Sequence, residues 1–317
     1  MKPTSIVSLI VAVLLVIVGL VTCFIAQNMA QDNGEFLFAE ERNNDLVQTV
    51  DLSDSEISKI ELIVENAEIN IIGRSESSYI EFINFRENYY ALSATNRVLS
   101  FDEIPDLISM LKFWENGFSF KGMRYILNFR DEPDEDRAKV VNIHLTTDYD
   151  IKIFDLKADN CTINIQNMTS PADYNIVTDN AVINTSVLRT TSAFSINAEK
   201  DVKPASNVTL NMKTALISNF NINAVNLDLT AESFRCNGSA SIKYETGTVD
   251  ISTLRQLSDM YLHLTSASGT IDLDGKYVQS PYISTNSDNA GNIFKIETQN
   301  GEIIMKSSAS QESPANN

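Results

Sequence analysis

The chain opens with one long apolar run and continues as alternating apolar and polar positions. Residues 6–25 read IVSLIVAVLLVIVGLVTCFI, in which only Ser8 and Thr22 are polar. A helix of this length spans about 30 Å, the thickness of the hydrocarbon core of a bilayer. The run therefore predicts a transmembrane anchor over residues 6–26, after a cytoplasmic stub of residues 1–5. A cleaved signal peptide and a lipidated Cys23 are the alternatives for this segment.

Positive charge predicts the orientation of the anchor. Lys2 and the free amino group precede the apolar run, and the first basic residue after it is Arg42. Because the flank that carries Lys and Arg stays in the cytoplasm, we expect the amino terminus inside and the rest of the chain outside. Residues 27–52 are polar and acidic without a regular period, which indicates a linker. The expected location is the cell membrane, with one span and an extracellular C-terminal domain.

From residue 53 onward the alternation has the period of two that is typical of β-strands. Residues 53–139 are predicted to form an N-terminal β region. From residue 140 a unit recurs that consists of apolar-x-apolar, Thr, a short polar turn that often contains Gly, and apolar-x-apolar again. Leu262–Leu273 and Ile296–Met305 are two copies of it. The copies predict stacked coils over residues 140–306, about nine of them from Ile143 to Lys306, followed by a disordered tail of residues 307–317.

The predicted fold class is all-β, as a single-stranded β-solenoid (β-helix). Strands this short cannot bury their apolar faces alone, and stacking the coils pairs their backbones and joins those faces into one aliphatic core. The 13 asparagines between Asn160 and Asn226 fit such coils, because Asn tolerates left-handed turns and can pair with itself from coil to coil. A β-sandwich has the same alternation and is the alternative, but the recurrent Thr-turn unit favours the solenoid.

One segment departs from the strand pattern. Apolar residues recur there at helical spacing, behind the candidate N-caps Ser100 and Asp102: Ile104, Leu107, Ile108 and Leu111. This spacing predicts a helix at about residues 102–114. We expect it to cap the N-terminal opening of the coils, because an open strand edge invites aggregation. The alternative is that its apolar stripe binds a partner.

Composition excludes several classes of function. The 317 residues carry a formal net charge of −18, and nucleic acid is therefore not an expected partner, since phosphate contacts need clustered Lys and Arg. Two histidines and three cysteines are too few for a Cys/His zinc site. No glycine-rich phosphate loop and no Gly-x-Ser-x-Gly motif occurs. No cofactor is expected.

The residues that could take part in catalysis or metal binding each have a structural explanation. Alternation turns His144 and His263 outward, and two scattered histidines make no ligand cluster. Asp272–Gly275 lacks the further ligands of a calcium loop, and the acidic run Asp131–Asp136 is typical of a hydrated turn. The exposed acids are single outward residues at Asp228, Asp250 and Asp272. The predicted sets of catalytic, cofactor-binding and metal-binding residues are therefore empty.

Two cysteines share faces with core residues. Cys161 alternates with Ile163 and Ile165, and Cys236 alternates with Phe234. The two lie about four coils apart, or roughly 19 Å at strand spacing. A disulfide needs Cα atoms within about 7 Å, so none is predicted between them.

The chain resembles the bacterial membrane-anchored "putative adhesin" β-strand-repeat family, a domain of unknown function. The resemblance depends on the apolar amino terminus and on repeat copies such as LHLTSASGTIDL (262–273) and IETQNGEII (296–304). The resemblance covers roughly residues 57–306. It implies a β-solenoid without a catalytic motif. Residues 173–240 depart from the pattern, because their turns use Asn in place of Gly.

The sequence supports two hypotheses about function, which belong to different classes. The first is a non-enzymatic envelope interaction or scaffold role, adhesin-like or accessory to envelope-stress sensing, with an envelope protein or polysaccharide as partner. The alternative is a carbohydrate-active enzyme on the same scaffold, which would need a groove with two acids within about 9 Å of each other. We expect the chain not to be an enzyme.

Overall fold

The computed structural model describes residues 47–53, 56–85, 90–103, 138–198, 206–285 and 292–307. The predicted anchor, most of the linker and of the predicted helix, the acidic run 131–136 and nearly all of the tail lie outside these ranges. Within them, no helix has the length and apolarity that crossing a membrane requires.

The described residues are almost entirely β-structure, which confirms the all-β class, with a 3₁₀ turn at Leu257–Asp259. The strands coincide with the alternation of apolar and polar residues: in β3, for example, every second residue is buried. The strands are β1 Val47–Asp51, β2 Lys59–Glu65, β3 Ala67–Gly73, β4 Tyr79–Ile83, β5 Tyr90–Thr95, β6 Val98–Glu103, β7 Lys139–Leu145, β8 Ile153–Asp159, β9 Cys161–Gln166, β10 Met168–Thr169, β11 Asp173–Val177, β12 Asn180–Ala198, β13 Asn207–Thr253, β14 Tyr261–Ser266, β15 Ile271–Leu273, β16 Lys276–Val278, β17 Tyr282–Ile283, β18 Ile293–Thr298 and β19 Glu302–Ser307.

Most strands pair in parallel and in register, one level upon the next. β8 pairs with β11 and β9 with β12, in each case at an offset of 20 residues. We call the strand residues at one level a layer. In spatial order the layers are 98–103 with 139–145, 59–73, 153–169, 173–190, 193–217, 219–236, 239–253, 293–307 and 261–273.

The long element β13 folds back on itself. The side chains of Asn207 and Asn226 are hydrogen-bonded at 2.9 Å although they are 19 residues apart in sequence. A straight strand would separate them by about 63 Å at 3.3 Å per residue. Ser239 likewise bonds Asn219, 20 residues earlier. β13 therefore contributes to three successive layers.

The order of the layers departs from the order of the chain at both ends. At the N-terminal end, β6 and β7 lie outside the earlier pair β2 and β3. At the C-terminal end, β18 and β19 insert between β13 and the layer of β14 and β15. At the C-terminal end the chain thus forms the outermost layer first and then returns to fill the gap, whereas at the N-terminal end it adds the outer layer to one that is already formed.

Antiparallel strands close both ends of the stack. β5 and β4 pair with the outer strands β6 and β7, and β17 and β16 pair with β14 and β15. These strands cover edges that would otherwise offer unpaired backbone groups. The prediction of a helix from Asp102 is wrong at its start, because β6 continues through Glu103 and pairs with β2; the rest of that segment lies outside the described residues.

The core combines aliphatic residues with an aromatic column, whereas the sequence predicted an aliphatic core with few bulky aromatic residues. Successive rings lie 5.0 to 6.0 Å apart from centroid to centroid, within the range of favourable aromatic pairs. The column consists of Phe154, Tyr174, Phe194, Phe220, Phe234 and Phe294. Ala240 occupies the register position next to Phe294, so the layer 239–253 contributes no ring to the column, and Phe234 of the preceding layer pairs with Phe294.

Corner residues explain the abundance of Asn and the recurrence of Thr. Asn66, Asn160 and Asn167 adopt positive φ angles of 53°, 52° and 53° at the ends of strands, a conformation that Asn tolerates better than most residues.

The buried hydroxyl of Thr178 donates to the carbonyl of Ala158 in the preceding layer at 2.6 Å. The Thr298 hydroxyl donates to the carbonyl of Glu245 in the same way at 3.1 Å. The repeated Thr residues therefore form hydrogen bonds between adjacent layers.

Candidate binding face

Two asparagine columns run along the stack, one within the strands and one that starts at the corner residue Asn160. In the first, an Asn amide donates to the side-chain oxygen of the Asn in the adjoining layer at 2.9 to 3.0 Å, from Asn211 to Asn184, Asn164, Asn70 and finally Asn142. The Asn142 amide donates to the Glu81 carboxylate. In the second, the same pattern links Asn160, Asn180, Asn207 and Asn226 at 2.9 to 3.1 Å. These amides are committed to each other and stabilise the register of the layers.

A third polar column behaves differently. It contains Asn175, Ser195, Asn221 and Ser241, one in each of four successive layers. Amide and hydroxyl alternate here, and no ladder forms: within the described part of the chain, the side chains of Ser195, Asn221 and Ser241 make no hydrogen bond. Beside it runs a parallel column of Val177, Asn197, Asn223 and Lys243.

These two columns line a shallow groove, which we call the amide groove. It has a volume of about 510 Å³, within the range of small-molecule sites. Its floor is the backbone around the buried residues Ile176, Ile196 and Ile222. Val177 forms part of the wall with 47% of its surface exposed. The groove combines the polar side chains of Ser195, Asn221 and Ser241 with the exposed apolar side chain of Val177.

Charged side chains border the groove at both ends along the stack. On one side Asp155 faces Asn175 and forms an ion pair with Lys59 at 2.6 Å. Burial acts to raise the pKa of Asp155, but hydrogen bonds from Lys59 and Asn175 outweigh it and lower this pKa. On the other side Lys295 and Glu297 follow Ser241 and Lys243. Between these borders Lys243 is the one charged residue of the lining.

The two histidines face away from the core, and they lie at opposite ends of the stack. His144 stacks on Tyr79 with ring centroids 4.4 Å apart, and its Nδ1 lies 3.4 Å from the Ser75 hydroxyl. His263 is in β14, opposite Ile283 of β17. Within the described ranges, no group of three or more His, Cys, Asp or Glu side chains is placed to hold a metal ion.

Asp228 and Asp250 are each engaged by a single partner, whereas one carboxylate oxygen of Asp272 is buried without a hydrogen-bond partner among the described residues. Asp250 accepts two hydrogen bonds from Lys306, at 2.9 and 3.1 Å, and Asp228 accepts one from the backbone of Thr248 at 3.2 Å. Asp272 is separated from Asp250 by Ile304 of the intervening layer. Asp274 binds the backbone of Ser307 at 2.7 Å. None of these acids lines the amide groove.

Cys161 and Cys236 are buried free thiols, as predicted, and no disulfide joins them. Burial raises the pKa of Cys161 to about 11 and also raises that of Cys236. Both thiols therefore stay protonated at pH 8, and only the thiolate reacts readily with disulfide reagents.

We expect the full chain carrying Cys23→Ser to show almost no thiol reaction with an aromatic disulfide reagent at pH 8. Adding denaturant to the same sample should release two reactive thiols, because unfolding exposes Cys161 and Cys236. Rapid labelling of either thiol without denaturant would contradict their placement in the core.

Sequence reasoning did not find the amide groove. The candidate residues came from titratable and ligand-forming types, whereas the groove is built from Asn and Ser. Its signal is the alternation of Asn175, Ser195, Asn221 and Ser241 in register, and the unequal spacing of these residues along the chain conceals it.

Comparisons with known proteins give structural neighbours only. No protein-family model matches the chain, and no curated protein matches it. A solved structure described as a "putative cell adhesion protein" of Clostridium sporogenes has 13% identity and a TM-score of 0.33, covering 84% of this chain and 99% of that chain. One described as a "putative adhesin" of Bacteroides fragilis has 9% identity and a TM-score of 0.35, covering 82% and 96%.

A third solved structure, a "putative adhesin" of Parabacteroides merdae, has 10% identity and a TM-score of 0.26, covering 84% of this chain and 96% of that chain. The descriptions of all three agree with the family that the sequence resembles. The functional argument below depends on this chain's own residues.

Proposed function

We propose that the chain is a membrane-anchored, externally displayed β-solenoid protein with a non-enzymatic role, adhesin-like or accessory to envelope-stress sensing, and that the amide groove is its binding face. In this proposal the parallel layers are closed coils and residues 6–26 hold the stack at the outer surface of the membrane. The partner is an envelope component, and no chemical step follows binding.

The observation that carries the proposal is the interrupted ladder. Two Asn columns are saturated from layer to layer, which is sufficient to explain them as stabilising elements. The column of Ser195, Asn221 and Ser241 gains no such stabilisation, and these side chains line a groove instead. Polar groups that do not bond within the protein are available to a ligand.

The display of the chain is tested by protease added to intact cells. The proposal predicts digestion of everything beyond about residue 28, because only the stub 1–5 and the anchor are shielded. A cytoplasmic control protein should survive the same treatment. Protection of the C-terminal layers, while a known surface protein is cut, would exclude external display.

The binding face is tested by attachment of cells that display the full chain to immobilised envelope material. Ser195→Leu with Ser241→Leu should reduce attachment to the level of cells without the protein, because the variant replaces two free hydroxyls of the groove with bulkier apolar groups. Thr230→Leu is the matched control, since Thr230 is exposed on β13 outside the groove. Equal attachment by the groove variant and the control would refute this binding face.

A further inference from the structure

We propose that the amide groove binds an extended, neutral β-1,4-linked polysaccharide that lies along the axis of the stack. This inference depends on the proposed function, because it names the partner of the same face. It goes further by fixing the chemistry, the charge and the direction of the ligand.

The lining matches the chemistry of a sugar chain. The Asn221 amide both donates and accepts hydrogen bonds, and the hydroxyls of Ser195 and Ser241 do the same. Sugar hydroxyls have the same double capacity, so each can pair with any of these groups without a fixed polarity. The exposed Val177 offers an apolar surface to the C–H face of a sugar ring.

Charge favours a neutral ligand over a charged one. The lining contains no carboxylate to hold a cation and one ammonium, that of Lys243. The chain carries a net charge of −18, which repels a polyanion over longer distances. The charged residues that border the groove are of both signs, with Asp155 and Lys157 on one side and Lys295 and Glu297 on the other, so the border adds no net attraction for an acidic polysaccharide.

The geometry favours a linear polymer over a peptide. Equivalent side chains recur once per layer, about 4.8 Å apart, and the rise of one sugar unit in an extended β-1,4-linked chain is close to that spacing. An extended peptide normally binds by adding a strand to a free sheet edge. The layers that form the groove are interior, and their strands are paired on both sides, so this face offers side chains and no edge.

The test uses the purified full-length chain in phosphatidylcholine nanodiscs and titration calorimetry. The neutral probes are cellohexaose and hexa-N-acetylchitohexaose, and β-1,4-linked hexaglucuronate is the charged probe of the same length and linkage. We expect at least one neutral probe to bind, and hexaglucuronate to bind about tenfold more weakly or not at all. Asn221→Leu should weaken the neutral probe about tenfold, which corresponds to the loss of roughly one hydrogen-bonded contact. Thr230→Leu should leave its affinity unchanged.

Absence of binding by both neutral probes, or tighter binding of hexaglucuronate, would overturn the inference. Equal weakening by Asn221→Leu and Thr230→Leu would overturn it as well, since the site would then lie elsewhere. Thermal unfolding of each variant shows that the fold is intact. If cell attachment still depends on Ser195 and Ser241 while no neutral probe binds, the polysaccharide is wrong and the binding face stands.

Discussion

Leu264→Asp is expected to unfold the C-terminal layers of the stack. Leu264 is fully buried in the outermost layer, where β14 pairs with β18 on one side and β17 on the other. A carboxylate at this position would be buried without a partner, which costs several kcal/mol. Circular dichroism during urea unfolding should show a transition at much lower denaturant, or the loss of a cooperative transition.

His263→Ala is the matched control for this change. His263 precedes Leu264 in the same strand but points away from the core, partly exposed to solvent. Substitutions at such surface positions usually change stability by less than about 0.5 kcal/mol. A loss from His263→Ala as large as that from Leu264→Asp would show that this histidine has a structural or ligand-binding role.

Phe220→Ala is expected to destabilise the middle of the stack by about 3–5 kcal/mol, the usual cost of removing a large buried ring. The side chain of Phe220 is fully buried. Its ring lies 5.9 Å from Phe194 and 5.0 Å from Phe234, so the substitution interrupts the aromatic column and leaves a cavity between two layers. Urea unfolding of the full chain measures the effect.

Tyr277→Ala provides the comparison, because this aromatic residue is 74% exposed. It should change the free energy of unfolding little. Equal stability of Phe220→Ala and the wild type would mean that the column does not form the continuous core described above.

The sequence was a good guide where structure depends on local alternation. Buried residues alternate through β14 and β18 because each strand turns successive side chains to opposite faces. The same rule put Cys161 and Cys236 in the core. It also explains the error at Asp102: the helical spacing begins at Ile104, whereas Leu99 and Phe101 alternate as strand residues and are buried.

The order of the layers could not be read in the same way. Strands β14 and β18 have similar patterns, and either could pair with β13. Lengthening a connecting loop costs little free energy, so chain order does not decide which layer is outermost. The amide groove was unpredictable for a related reason, since it depends on which Asn and Ser residues share a register, and that is a property of the assembled stack.

The amide groove exists only if Asn175, Ser195 and Asn221 occupy successive layers, and cysteine pairs measure this directly. Ser195→Cys with Asn221→Cys, in a chain carrying Cys23→Ser, should form a disulfide readily under mild oxidation. Adjacent layers place the Cα atoms about 4.8 Å apart, within the range of a disulfide. Asn175→Cys with Asn221→Cys spans two layers, about 9.6 Å, and should stay reduced. Cross-linking of the second pair, or none in the first, would contradict the register that builds the binding face.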